Sequence, residues 1–430
     1  MSVDSSPEPF GSFPEPLGSF PESLGSFPEL VEGQTTSTFN QRLAPEFFDR
    51  VQARVVERLT ATGLTAILTD DPEDVAYLTG FFHHPCERPV AVWLQADGRC
   101  VLLLPELERE HAELQQARAE FAVFGEYPGV RPPFGALAGA VGSLPPATPV
   151  GFGSQISHAR LTAAQEAMGP ADWRPTTLIT KARFRKFDEE IALHQEAARI
   201  TDLMITGGVE LITEAVAAGG ELPSEAEIAG HISKIGTGTM YAEHQGVVVV
   251  EMLAGGLVYA AANSAYPHGL PSGYRLRPGD TFMLSLGCAV GGRYVEGERT
   301  FVLGEPSAEQ RAYHSIIEQA QRIGGEAIRS GAECREINRT CLDVIREAGF
   351  GEFLRHRQGH GIGLGMHEPP WLEDGDPTVL QPGMIVSNEP GIYIRDHAGY
   401  RISDSMLVTA GGSRSLTAYP RDLASCTIPV

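Results

Sequence analysis

Two apolar strand segments meet at Gly291 and Gly292, and this junction constrains the fold more than any other feature of the chain. A Gly-Gly pair between two strand patterns is a strong signal for a tight β-hairpin. With these glycines as the loop, Ser285 pairs with Glu298, and Glu296 lies diagonally from Ser285 on the same face. Opposed residues are ~5 Å apart at Cβ and diagonal ones ~7–8 Å. We therefore expect two carboxylates and a hydroxyl close together on one face of the hairpin. They could form a functional cluster, or that face could simply be polar and exposed to solvent.

Charge and length define the broad class of the protein. The chain has 430 residues, 42% of them hydrophobic, with 33 basic and 55 acidic side chains and a net charge of −22. An acidic surface repels phosphate backbones and anionic membranes, which argues against nucleic-acid and membrane partners. The longest apolar run, residues 252–262, is too short to span a bilayer, and no basic residue precedes Arg42 to suggest a secretory signal. The six cysteines form no CxxC pair, so we expect a cytoplasmic enzyme of about two domains.

The sequence divides into three parts. Residues 1–40 contain a seven-residue unit, rich in proline and glycine, that occurs three times, and we expect this tail to be disordered. Residues 41–178 alternate helix and strand patterns and are interpreted as a small α/β domain. The helix predicted over Pro45–Thr62 in this part ends at Gly63. Residues 179–430 combine long helices, expected at about 188–218, 307–330 and 334–348, with glycine-punctuated strands, which favours an α+β domain. A linker helix into this half is expected over 182–201.

The second half also collects chemically active side chains around glycines. Residues 359–365 alternate glycine with other residues, so as a strand they would have one face without side chains, open to a ligand or another backbone. His360 lies in this run, and His367 follows it. Glu389 ends an apolar strand pattern, and residues 400–404 begin another. An imidazole and several carboxylates on adjacent strands suit a hard-to-borderline cation such as Mn, Co, Fe or Zn.

Taken together, the motifs resemble the pita-bread metallopeptidase family, which includes Xaa-Pro dipeptidases (prolidases), aminopeptidase P, methionine aminopeptidases and creatinase. The matching segments, in chain order, are Pro267-His268-Gly269, Gly279-Asp280, Glu298-Arg299-Thr300-Phe301, Gly359-His360-Gly361-Ile362-Gly363, His367-Glu368-Pro369, Gly383-Met384, Glu389-Pro390-Gly391-Ile392-Tyr393 and Arg401-Ile402. The segment Tyr77-Leu78-Thr79-Gly80-Phe81 resembles the N-terminal domain of the creatinase and prolidase branch. The resemblance implies a pita-bread catalytic domain preceded by a smaller creatinase-type α/β domain.

In that family five side chains hold two metal ions, and this sequence departs from the pattern at three of the five. Ser285 and Ser403 stand where the family has an aspartate and a glutamate, and Glu296 stands where it has a second aspartate. His360 and Glu389 match the family directly. A serine hydroxyl is a weak, neutral ligand. The resemblance therefore implies an altered site in which Glu296, His360 and Glu389 hold one ion of Mn, Co or Zn rather than two.

Glu298 is a candidate replacement for one lost carboxylate. The family usually has threonine at this position, and the hairpin pairing places Glu298 directly opposite Ser285. We therefore hypothesise that Glu298 supplies an additional metal ligand. Asp404 is a poorer substitute for Ser403, because neighbours on a strand point to opposite faces.

The leading function implied by the resemblance is an Xaa-Pro peptidase of the prolidase or aminopeptidase P type. It would act on a small peptide with proline in the second position, using metal-activated water to attack the carbonyl before the proline. Glu389 would carry the proton, His268 and His367 would contact the carbonyl and the leaving nitrogen, and Arg401 with the N-terminal domain would hold the substrate carboxylate. Relatives commonly dimerise, so a homodimer is a further expectation.

Two alternatives remain open from the sequence. The first is a metal-free amidinohydrolase like creatinase, with His268 as the general base and the glutamates binding a cationic guanidinium-type substrate. The second is a catalytically inactive member of the fold that binds a peptide segment of a partner. The fold alone does not separate these functions, because function depends on the site.

Overall fold

The computed structural model describes residues 39–430, so the repeat of the N-terminal tail lies outside the described residues. The first element is β1 (Phe39–Asn40), so the last two residues of the tail expected to be disordered form a strand instead. This short strand pairs in parallel with residues 244–245. Within residues 39–430, no helix is both long and apolar enough to cross a membrane.

The first half alternates strands and helices around a six-stranded sheet. Its elements are α1 (Pro45–Thr62), β2 (Ala66–Thr69), α2 (Pro72–Thr79), β3 (Ala91–Gln95), β4 (Cys100–Pro105), α3 (Glu106–Leu114), β5 (Glu120–Phe124), α4 (Pro133–Val141), β6 (Pro149–Gly153), α5 (His158–Met168), β7 (Asp172–Thr176) and α6 (Leu178–Arg183). The strand order is β5-β4-β3-β2-β6-β7, with β2, β3 and β4 joined antiparallel and the remaining pairs parallel. The expected α/β organisation is confirmed, including the helix that ends at Gly63, whose φ of 72° suits glycine.

The second half is built on a nine-stranded sheet. Its elements are α7 (Asp188–Ala218), α8 (Glu225–Glu243), β8 (His244–Gln245), β9 (Ala254–Ala260), β10 (Thr281–Val290), β11 (Arg293–Leu303), α9 (Ala308–Ala327), α10 (Cys334–Glu347), β12 (Gly359–Gly361), β13 (Glu368–Leu372), β14 (Ile385–Asn388), β15 (Gly391–Ile394), β16 (Ala398–Arg401), β17 (Ser403–Thr409), β18 (Gly412–Ser415) and β19 (Thr427–Ile428), with 3₁₀ turns at Ala261–Ala265 and Gly351–Phe353. The main path is β13-β12-β14-β17-β11-β10-β9, with β18 paired to β17 and β19 to β11. β15 and β16 form a separate two-stranded sheet. This is the expected α+β half.

Helix α7 covers the central hairpin with one apolar stripe. Leu193, Ala197, Ile200 and Met204, spaced by three and four residues, are buried in the same core cluster as Leu284 of β10. The hairpin itself has the predicted register, with Ser285 opposite Glu298 and Gly287 opposite Glu296. The core beneath the hairpin therefore fixes the position of both strands that carry the carboxylates.

The helix expected over residues 182–201 is wrong as a single element. α6 ends at Arg183 and α7 begins at Asp188. The backbone N–H of Phe187 donates to Glu190 Oε2 at 3.0 Å, which starts a new helix there instead of continuing the old one. The charged residues of this stretch therefore lie at a break where the chain passes between the two sheets.

The glycines of residues 359–365 admit protein groups rather than a ligand. Only residues 359–361 form a strand, β12. A Cβ on Gly359 would lie 2.2 Å from the carbonyl oxygen of Ser387, and one on Gly361 would lie 2.5 Å from that of Pro369. Glycine is required here because the neighbouring strands approach this closely on both sides.

Candidate active site

A cavity of about 800 Å³ contains most of the side chains singled out from the sequence. Its lining includes His268, Ser285, Glu296, Glu298, His367, Glu389 and Arg401. His268 and His367 project from exposed loop positions, whereas Glu296 and Glu298 lie on the buried strand β11 and Glu389 directly follows β14. The fold thus brings together two loops and several strands of the sheet around one cavity.

His360 on β12 is the most enclosed of the candidate metal ligands. Its Nδ1 donates to the carbonyl of Gly361 at 3.0 Å, so Nε2 is the ring atom that would ligate a cation. Nε2 lies 3.2 Å from Glu389 Oε1 and 3.6 Å from Glu296 Oε2. Within residues 39–430 this nitrogen has no hydrogen-bond partner of proper geometry, although it is fully buried. A buried nitrogen beside two carboxylates is an arrangement that a divalent cation completes.

The three groups perturb one another strongly. Burial and the negative charge of Glu389 raise the pKa of Glu296 to about 8. Burial disfavours a charged His360, but the carboxylates of Glu296 and Glu389 outweigh it and raise its pKa to about 9. Burial would also raise the pKa of Glu389, but His360, followed by His356 and Arg401, holds it below its ordinary value. The cluster therefore attracts positive charge, as a cation site must.

His367 lies against His360 on the cavity side. The two ring centroids are 3.9 Å apart. Glu296, His360 and His367 each offer one ligand atom, and these atoms lie within 4.8 Å of one another. Partial burial and the positive charge of His360 lower the pKa of His367 to about 4, which keeps its ring neutral at physiological pH. His367, expected from the family resemblance to contact the substrate, therefore also lies among the candidate ligands.

Glu298 is engaged by Arg401 rather than directed at His360. Arg401 Nη2 donates to Glu298 Oε1 at 2.8 Å, and Arg401 Nε forms an ion pair with Oε2. Ser285 also donates to Glu298 Oε1. The remaining Arg401 donors reach the hydroxyls of Tyr393 at 2.9 Å and Tyr259 at 2.6 Å. Glu298 Oε1 and both Nη atoms of Arg401 are therefore hydrogen-bonded inside the protein, and Oε2 and Nε meet only as an ion pair.

Ser403 and Asp404 lie on opposite faces of β17, as the strand geometry predicts. Ser403 Oγ donates to Glu296 Oε1 at 2.8 Å, so it supports the carboxylate on the cavity side. Asp404 instead pairs with Arg299 at 2.9 Å and accepts from Thr417 at 2.6 Å, both away from His360. Asp404 therefore does not replace the missing glutamate.

A buried charge network fixes the loop that carries His367. Glu368 accepts from Arg183 Nη2 at 2.5 Å and from Lys186 Nζ at 2.9 Å. Arg183 also pairs with Asp74 of α2 at 3.0 Å. The network links the six-stranded sheet domain to the edge of the cavity through the break between α6 and α7.

Sequence reasoning missed several residues around the cavity. Tyr259 and Tyr393 bind Arg401, and His356 Nε2 lies 2.8 Å from the Tyr393 hydroxyl. Arg357 also lines the cavity. The only available signal was proximity in sequence, since His356 and Arg357 precede His360 by four and three residues.

Comparison with known proteins identifies the family. Residues 192–410 match metallopeptidase family M24, and residues 52–184 match the creatinase/prolidase N-terminal domain. The probable dipeptidase PepE of Mycobacterium tuberculosis is 30% identical over 395 residues, which cover 89% of this chain and 98% of that protein. The crystal structure of dipeptidase PepE from Mycobacterium ulcerans has a TM-score of 0.76 at 26% identity, covering 90% of this chain and all of that chain.

The prolidase from Pyrococcus horikoshii OT3 matches with a TM-score of 0.74 at 25% identity, covering 87% of this chain and 99% of that chain. Both domain matches follow the order expected from the motifs, and the structural similarity extends across the two halves. The chain therefore belongs to metallopeptidase family M24 and is a hydrolase with the pita-bread fold.

Proposed function

We propose that this protein is an Xaa-Pro dipeptidase of the prolidase type that works with a single divalent cation. The observation that carries the proposal is the buried His360 Nε2, without a hydrogen-bond partner in the described part of the chain and 3.2 and 3.6 Å from two carboxylates. Relatives named dipeptidase and prolidase that match nearly the whole chain support the substrate class.

The donor set suits Mn²⁺, Co²⁺ or Zn²⁺. Glu296 offers a carboxylate oxygen, and His360 and His367 offer imidazole nitrogens, all within 4.8 Å of one another. Glu389, 3.2 Å from His360 Nε2, would add a second carboxylate. The Nδ1–H of His360 is already fixed by a backbone carbonyl, which orients Nε2 in the way that ligating histidines require.

The same contacts argue against a second ion. Ser285 and Ser403 are neutral, and each already donates to a carboxylate. The Glu298 carboxylate is neutralised by the Arg401 guanidinium, which places a permanent positive charge beside Ser285. A further cation there would meet repulsion from Arg401 and would lack the family's carboxylates. In this proposal Glu298 is therefore the ion-pair partner of Arg401 and not a metal ligand.

The bound cation would supply Lewis-acid polarisation and activation of water. The lowered pKa of Glu389 keeps its carboxylate ionised, as a metal ligand must be, while the neutral ring of His367 can hydrogen-bond to the peptide. His268 is exposed at the cavity wall and contributes a second imidazole from the opposite loop. These roles correspond to those implied by the family resemblance.

The creatinase-like alternative is less well supported. It assigns Glu298 to a guanidinium-type substrate, but Glu298 already binds the guanidinium of Arg401 through both oxygens. A substrate cation would have to displace a buried internal ion pair, which is costly.

Hydrolysis of Ala-Pro by protein loaded with Mn²⁺, Co²⁺ or Zn²⁺, with creatine as the competing substrate, tests the proposal. We expect Ala-Pro cleavage that is lost on chelation and restored by the cation. Glu389→Gln should lower kcat by ~10²–10⁴-fold, the usual range for loss of a general acid–base group. His231→Ala changes an exposed histidine of α8 outside the cavity and serves as the control. Creatine cleavage without metal would support the creatinase-like alternative. Binding of peptides without any turnover would support a catalytically inactive peptide-binding protein.

A further inference from the structure

The cavity contains a guanidinium that the proposed chemistry does not use. Arg355, Arg357 and Arg401 all line it. Arg401 was expected to hold the substrate carboxylate, but its nitrogens are taken up by Glu298, Tyr259 and other protein groups. Another cation must therefore do this work if the substrate enters as a carboxylate.

Arg357 is held in one orientation by two contacts. Its guanidinium carbon lies 4.6 Å from the ring centroid of Trp371, and its Nε donates to the carbonyl of Gly359 at 3.0 Å. Stacking on an aromatic ring and one fixed N–H determine the plane of the guanidinium group. The hydrogen bond to Gly359 also ties Arg357 to the residue that precedes His360, next to the proposed cation site.

The terminal nitrogens of Arg357 are left without acceptors. Across residues 39–430, Arg357 forms no ion pair, and its only hydrogen bond is through Nε. The half-buried Arg357 side chain thus presents two N–H-bearing nitrogens to the cavity. The three glutamates that line this cavity pair with other residues: Glu296 and Glu389 with His360, and Glu298 with Arg401. Arg355 differs, since its Nη1 donates to the backbone carbonyls of Glu352 and Leu354 and its side chain is exposed.

We propose that Arg357 binds the free C-terminal carboxylate of the substrate and so restricts the enzyme to dipeptides. A guanidinium fork binds a carboxylate through two parallel hydrogen bonds. In an Xaa-Pro dipeptide this carboxylate lies one residue, ~3.5 Å of chain, beyond the scissile bond, which suits an anchor tied to the residue beside His360. This inference rests on the proposed peptidase function and identifies Arg357 as the residue that selects substrates of dipeptide length.

The test compares Ala-Pro with Ala-Pro-amide, which lacks the negative charge, in the metal-loaded wild type and in three variants. Arg357→Ala should lower kcat/KM for Ala-Pro by ~10- to 100-fold, the effect of one charged hydrogen-bonded contact. The loss should appear mainly in KM, and Ala-Pro-amide should be little affected. Arg357→Lys should recover part of the loss, because a lysine keeps the charge but not the fork. Arg355→Ala, which removes the same charge from the same loop, should keep the preference for the free carboxylate.

Each outcome decides the inference. Equal losses on both substrates in Arg357→Ala, or a wild type that cleaves both equally well, would overturn it. If the wild type cleaves neither, the proposed function fails, and calorimetric binding of Ala-Pro and its amide then tests Arg357 separately. Tighter binding of Ala-Pro that disappears in Arg357→Ala would uphold the carboxylate site, and equal affinities would refute it. Metal content of Arg357→Ala should equal that of the wild type, which separates carboxylate binding from damage to the cation site.

Discussion

Replacing Glu368 by glutamine tests how strongly the buried charge network stabilises the loop that carries His367. Glu368 accepts from Lys186, Arg183 and the N–H of Gly365, and its side chain is only 4% exposed. Burial would raise the pKa of Glu368, but Lys186 and Arg183 outweigh it and lower the pKa to about 2 from an ordinary 4.5. That difference corresponds to ~3 kcal/mol of stability at neutral pH. This contribution is present above pH 4.5 and is lost as the pH falls through about 2.

Glu368→Gln also leaves Lys186 buried, with no other carboxylate partner in the described chain. Removing one member of a buried pair typically costs ~3–5 kcal/mol, in agreement with the value from the pKa. We therefore expect a free energy of unfolding at pH 7 lower by ~3–5 kcal/mol in urea titrations.

A double-mutant cycle with Lys186→Met separates the charge effect from the loss of packing. The double variant should be less destabilised than the sum of the single variants, because no uncompensated lysine remains. A loss below ~1 kcal/mol in Glu368→Gln, or strict additivity in the double variant, would refute the reasoning.

Three other predictions follow from the site and its supports. Gly359→Ala should destabilise the protein by more than ~2 kcal/mol and reduce metal retention, because the new Cβ would lie 2.2 Å from a carbonyl oxygen of β14. Gly273→Ala is the control, since a Cβ there would have no atom within 4 Å. Equal losses of stability in the two variants would contradict this prediction. Burial, and to a smaller extent the charge of Lys186, lowers the pKa of His194 from 6.5 to about 3. As the pH falls below 6.5, the histidine of the unfolded chain is therefore protonated before that of the folded chain, and the folded protein loses stability. His194→Gln should make the free energy of unfolding depend less steeply on pH below 6.5, and an unchanged slope would contradict this prediction. The double substitution S285D/S403E should raise the metal content from one ion to two per chain, and retention of one ion would show that the missing carboxylates do not limit it.

Much of the fold follows from local patterns in the sequence. The register of the central hairpin follows from Gly291 and Gly292, which both have positive φ and fix which residues face each other. The separation of Ser403 from Asp404 follows from strand alternation alone. These features depend on neighbours along the chain or across one turn, and the sequence contains that information.

The partner of Glu298 illustrates what the sequence does not contain. The hairpin predicts that Glu298 faces Ser285, but whether its carboxylate turns to a metal or to an arginine depends on β16, which ends at Arg401. Likewise, nothing local indicates that Glu368 meets Lys186, 182 positions away, because that contact depends on the break between α6 and α7. Such pairings are set by how the sheets are assembled, and only the folded chain shows them.

The most direct test of the central claim is the number of Mn²⁺ ions per chain, measured by elemental analysis after equilibrium dialysis against the metal. The proposed site of Glu296, His360 and Glu389 predicts one retained ion in the wild type and none in His360→Ala. Two ions per chain would mean that the Arg401–Glu298 pair does not exclude the second metal. No retained ion in the wild type would contradict the single-cation peptidase itself.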